Sequence, residues 1–130
     1  MPTDSASTDF TVKVHAAERV IEVVYPPRPT AESFERYERD VRAAIERMGA
    51  PWKCLVDQRA LTVAVKEMAS RIQGLNAWAV TSGMQRSVRV VNDTAIAELQ
   101  ATRILRETGF DAEKGVFHSR EEAWVALLRG

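Results

Sequence analysis

An apolar run from Trp52 to Asp57 ends on a carboxylate, and a helical stripe of apolar residues begins a short loop later. This pairing constrains the fold more than any other feature of the chain. A short apolar run bounded by turn signals reads as a strand, and apolar residues recurring every three or four positions read as an amphipathic helix. A strand that feeds directly into a helix is the building unit of a parallel sheet. In open sheets of this kind, ligands and partners meet the protein outside the carboxyl ends of the strands. Asp57 and the residues just after it, Arg59, Thr62 and Lys66, therefore mark the expected interaction edge.

The same alternation runs along the whole chain. Residues 1–9 are polar, acidic and rich in Ser and Thr, and read as a frayed tail. Residues 10–130 read as one domain without repeats or linkers. Phe10, Val12 and Val14 alternate with polar neighbours, the period-two pattern of a half-buried strand, and Val20 to Tyr25 is β-branched, so the two form a hairpin. Pro26, Pro27 and Pro29 stop the second strand, and Thr30 can cap a helix whose stripe is Phe34, Tyr37, Val41, Ala44, Ile45 and Met48, ending at Gly49. After Asp57 the second stripe runs from Val65 through Met68, Ile72 and Leu75 to Ala79, with Gly83 as terminator. Val88 to Val91 is a further strand, and Asn92 or Asp93 can cap a helix presenting Ala97, Ala101, Ile104 and Leu105. Val116 to His118 is the last strand, and Ser119 with Glu122 spells a capping box for a terminal helix. The expected fold is α/β: a mixed, mostly parallel sheet of about four to five strands with about four helices, joined by right-handed crossovers.

Composition narrows the function. Eighteen basic residues balance eighteen acidic ones, which argues against a nucleic-acid binder, since neutralising phosphates needs a basic surplus. No run reaches the ~18 apolar residues of a membrane span, and the amino terminus lacks a signal-peptide pattern, so a cytoplasmic location is expected. Cys54 is the single cysteine; it excludes an internal disulfide, and mid-strand it reads as a buried, inert thiol.

Catalytic groups are sparse. His15 and His118 close the first and last strands and could approach each other only if those strands were neighbours. A metal site needs three or four converging ligands, and no such spacing occurs, so neither metal nor cofactor is expected. Asp57 could serve as a general base; acceptance of hydrogen bonds from nearby loop N–H groups is the favoured reading. From Arg59 to Arg89 the charged residues are Arg59, Lys66, Arg71, Arg86 and Arg89 against Glu67 alone. If the helix after Asp57 lies near the Val88 strand, then Arg71, Arg86 and Arg89, with Trp78 as an anchor, make a mildly basic surface for an acidic partner or anionic headgroups.

The order of these pieces resembles the SpoIIAA-like branch of the STAS domain family. The likeness rests on Cys54-Leu55-Val56-Asp57, Val88-Arg89-Val90-Val91, and Val116-Phe117-His118 before Glu122-Ala123-Trp124-Val125-Ala126-Leu127-Leu128, and it covers residues 10–128. It implies a STAS-like fold and a non-enzymatic role in regulatory protein–protein contact. In that family a serine at the start of the helix after the Asp-ending strand is phosphorylated, where the helix terminus favours the negative phosphate. The matching positions here are Lys66 and Glu67, which carry no hydroxyl; Thr62 is the nearest one and also suits an N-cap. The alternative is a carrier of a small apolar ligand or lipid, with Met68, Ile72, Leu75, Trp78 and Met84 around a pocket by the central helix. Peripheral lipid contact without a transmembrane span, and pairing of two copies through the hairpin edge, are compatible with either reading.

Overall fold

The computed structural model describes residues 8–61 and 66–129, with the backbone alone described for Lys66 and Glu67. The elements are β1 (Thr11–His15), β2 (Val20–Val24), α1 (Ala31–Met48), β3 (Trp52–Asp57), α2 (Lys66–Thr81), β4 (Met84–Val90), α3 (Ala95–Glu107), β5 (Val116–Phe117) and α4 (Arg120–Arg129). They form one five-stranded sheet in the order β1-β2-β3-β4-β5. The β1–β2 hairpin is antiparallel, and the other three pairings are parallel.

Strand order that follows chain order decides the layering. Each parallel crossover steps in the same direction, so right-handed connections place their helices on one face. There α1 and α2 bury Phe34, Tyr37, Val41, Ile45, Met68 and Leu75 against Ile21, Val23, Trp52, Cys54 and Val56. The helix α3 lies beside α2 across a groove and packs over β4 and β5. The opposite face would be bare without the last helix. α4 covers it, with Ala123 and Leu127 on Val20, Leu55, Val88 and Val90.

Local signals set most element ends. Thr30 caps α1 through a reciprocal box: its side chain accepts from the Ser33 N–H, and Ser33 Oγ accepts from the Thr30 N–H at 2.8 Å. Gly49 leaves the helix at φ 71° with its N–H on the Ile45 carbonyl. Two expectations are corrected. The cap of α3 is Thr94, whose hydroxyl accepts from the Ala97 N–H, while Asn92 holds Thr94 in place. β4 begins at Met84, four residues ahead of the apolar Val88–Val91 run, because pairing with β3 extends over the polar residues Gln85 to Ser87. Among the described residues, no helix is long and apolar enough to cross a membrane.

Candidate functional site

The carboxyl ends of the parallel strands gather Asp57 of β3 with Gln58 after it, Arg89 and Val90 of β4 with Val91 after them, and His118 after β5. Alternation along the strands sends their side chains to different faces, so the edge divides into two environments.

On the α4 face the charges are already matched. Asp57 is 8% exposed, and Arg59 closes over it with two guanidinium bonds, Nε to Oδ1 at 3.0 Å and Nη2 to Oδ2 at 2.8 Å. The Arg59 backbone N–H also donates to Oδ1, as the loop-acceptor reading expects. Both carboxylate oxygens of Asp57 are thus engaged by Arg59 in a charge-assisted fork. Glu22 lies deeper on this face, 4% exposed in the β-branched run of β2. Arg120, the first residue of α4, grips it with Nε on Oε2 at 3.0 Å and Nη2 on Oε1 at 2.9 Å, and His15 Nε2 lies 2.9 Å from Oε1. The Arg120 fork holds the Glu22 carboxyl below its ordinary range despite burial. Trp124 completes the cluster, with the Arg120 guanidinium 4.6 Å from its ring centre and the His15 ring edge-on at 4.8 Å. This cluster pins α4 to the hairpin.

The helix-covered face holds an unusual cation. Arg89 is 3% exposed beside Cys54 and Tyr37. Its Nη1 donates to Gln58 Oε1 at 2.8 Å, and its buried Nε has no hydrogen-bond partner. No ion pair to Arg89 occurs among the described residues. The nearby Cys54 thiol is pushed up to about 11 by burial, which keeps it protonated and unreactive.

The expected basic surface separates into three settings. Arg71 bonds Glu38 of α1 at 2.8 Å and lies over Phe34. Trp78 is half-buried beneath Arg42 of α1, 4.5 Å from the guanidinium carbon to the ring centre. Both residues stitch α2 to α1. Arg89 is buried, and Arg86 faces a cleft near the opposite end of the strands. Of the expected interaction edge, Thr62 lies outside the described residues, and Lys66 is described only as the first residue of α2. The candidate pocket residues Met68, Leu75 and Met84 are buried in the sheet–helix core, with Ile72 and Trp78 packed against it.

His15 and His118 stand at opposite edges of the sheet, because β1 and β5 are its outermost strands. His118 instead faces two carboxylates, Glu98 at 2.6 Å from Nε2 and Asp93 at 3.2 Å from Nδ1. The Glu98 contact raises its pKa above the ordinary 6.5. Among the described residues, no group of three or more His, Cys, Asp or Glu side chains is placed to hold a metal ion.

Among the described residues, the most exposed large aliphatic side chains lie on α3. Ile96 and Leu99, one turn apart, are each 70% exposed. They adjoin the turns of α3 that form one wall of the α2–α3 groove, lined by Ala69, Gln73, Val80, Arg103 and Ile104. The periodicity of α3 marked its buried side through Ala101 and Leu105 and gave no reason to single out Ile96 and Leu99. The Arg120–Glu22–His15 cluster was also missed, although an acid inside Val-Ile-Glu-Val-Val was a usable signal. Comparisons with protein-family models, with curated proteins and with solved structures find no match.

Proposed function

We propose that this chain is a STAS-like, SpoIIAA-like module that works by binding a partner protein, with α3 as the contact surface. The observation that carries this reading is the exposed Ile96–Leu99 pair. Two adjacent large aliphatic side chains on a helix whose other side is properly buried provide the apolar centre of an interface. Arg103 and Glu107 beside the α2–α3 groove supply polar positions at its rim. The layering supports the reading too: α1 and α2 are fastened to each other, α4 is fastened to the hairpin, and α3 carries the two most exposed large apolar side chains among the described residues. The Asp-ending third strand and the closing Phe117 to Leu128 segment carry the resemblance seen in the sequence.

The test is site-specific photo-crosslinking in the native host, with the crosslinker placed at position 99 on α3 or at Glu46 on α1 as a control. Position 99 should trap one defined protein that position 46 does not, and the double variant Ile96→Asp, Leu99→Asp should abolish its retention. Identical crosslink patterns from both positions, or retention unaffected by the double variant, would remove α3 from the interface and the proposal with it.

A further inference from the structure

A second site lies near the other end of the strands, independent of the α3 surface. Lys53 of β3 and Arg86 of β4 are direct partners in the parallel register. Paired residues project from the same face, and like charges opposite each other are destabilising. Neither has an ion-pair partner among the described residues, and Lys114, from the turn before β5, adds a third cation to the same cleft. The cleft has a volume of about 320 Å³, at the lower end of small-molecule sites, which run to ~300–1,000 Å³. Among the described residues its one lining carboxylate is Asp111, whose Oδ1 already accepts the Glu113 N–H at 3.0 Å.

The sheet edge adds a donor. β5 spans only Val116 and Phe117, so it covers the far half of β4 and leaves the near half without a strand neighbour on the side away from β3. The N–H groups of Arg89 and Val91 point to the β5 side, bonding Gly115 and Phe117 carbonyls. Backbone direction repeats every two residues, so the Ser87 N–H points the same way, toward the cleft that Ser87 lines. Phe110 supplies an apolar wall.

We propose that this cleft binds a small soluble phosphomonoester. Three cations facing one engaged carboxylate leave a surplus of two positive charges, which matches a phosphate dianion. The Arg86 fork suits a tetrahedral oxyanion, and Phe110 can pack against a short organic moiety. An occupant of this kind relieves the repulsion between Lys53 and Arg86.

The full chain, uniformly labelled with nitrogen-15, is titrated at pH 7.5 and low ionic strength with ribose 5-phosphate, and in parallel with succinate and with sodium chloride. Ribose 5-phosphate should give saturable shifts at the amides of Ser87, Gly109 and Lys114. Arg86→Gln and Lys114→Gln should each weaken it about tenfold, ~1.4 kcal/mol, with the remaining amide spectrum unchanged. Non-saturating shifts that sodium chloride reproduces, succinate binding as tightly as ribose 5-phosphate, or unchanged affinity in both variants would overturn the assignment. The amides of Ile96 and Leu99, toward the end of α3 away from Gly109, should not shift, and shifts there as large as those at Gly109 would also overturn the assignment.

Discussion

Replacing Arg120 with methionine would strip the buried Glu22 carboxylate of its guanidinium partner and leave it His15 and the cross-strand Lys13. Breaking one side of a buried ion pair is costly, and the expected loss is about 3 kcal/mol, read as a shift of the urea midpoint at pH 7. Linkage gives a second signature. Because the Glu22 pKa is lowered in the folded state, its contribution is complete above the unfolded value near 4.5 and drains away as pH falls through the folded one. The Glu22 part of native stability should therefore hold from pH 7 down to about 4.5 and fall below that, and Arg120→Met should flatten that fall. An equal pH dependence in both proteins would show that Glu22 does not depend on Arg120. Arg89 behaves in the opposite sense. Its buried guanidinium has one hydrogen bond to Gln58 and an unpaired Nε, so burial is poorly compensated. Arg89→Met, which keeps the stem, should change stability by less than about 1 kcal/mol or raise it. A loss well beyond that in the same urea titration would mean the guanidinium is better satisfied than its bonding suggests.

At the scale of elements, the turns constrain the fold as firmly as the helices do. Gly83 joins α2 to β4 at φ 99°, and a Cβ added there would overlap Ala50 Cβ and lie 2.8 Å from Ala50 Cα. Gly49 ends α1 at φ 71° with open space where a Cβ would go. The two positions separate conformational strain from collision. Gly49→Ala should cost about 1–3 kcal/mol, because φ 71° with ψ 164° is a backbone region that essentially only glycine occupies. Gly83→Ala should cost more, since overpacking against Ala50 adds about 1–3 kcal/mol to the positive-φ penalty. Thermal unfolding of both variants checks the order, and equal losses would contradict it. Elements whose apolar period is strong, α1 and β3 above all, were legible from their residues. The early start of β4 was not, because Gln85 to Ser87 carries no apolar signal and becomes strand only by pairing with Lys53 and Cys54.

For the molecule as a whole, the sheet order leaves one face to α1, α2 and α3 and gives the other to α4 alone. It separates the proposed partner surface on α3 from the proposed anion cleft near the amino ends of β3 and β4. Ile96→Asp and Leu99→Asp should leave stability within about 0.5 kcal/mol of the native protein, since both side chains already face solvent. A large loss would place them in packing instead of recognition, and circular dichroism during denaturation tells the two apart.

Periodicity by itself determined the alternation of strands and helices, the mostly parallel sheet, the buried Cys54 and the cap at Thr30, because each depends on neighbours within a few positions. It also placed Asp57 at the strand end. Only the tertiary structure decided what surrounds these groups: that Arg59 closes Asp57, that Arg89 is buried while Arg86 faces a cleft, and that His15 and His118 lie at opposite edges. Strand order and register set those distances, and they arise from contacts between residues far apart in the chain, which no local pattern encodes.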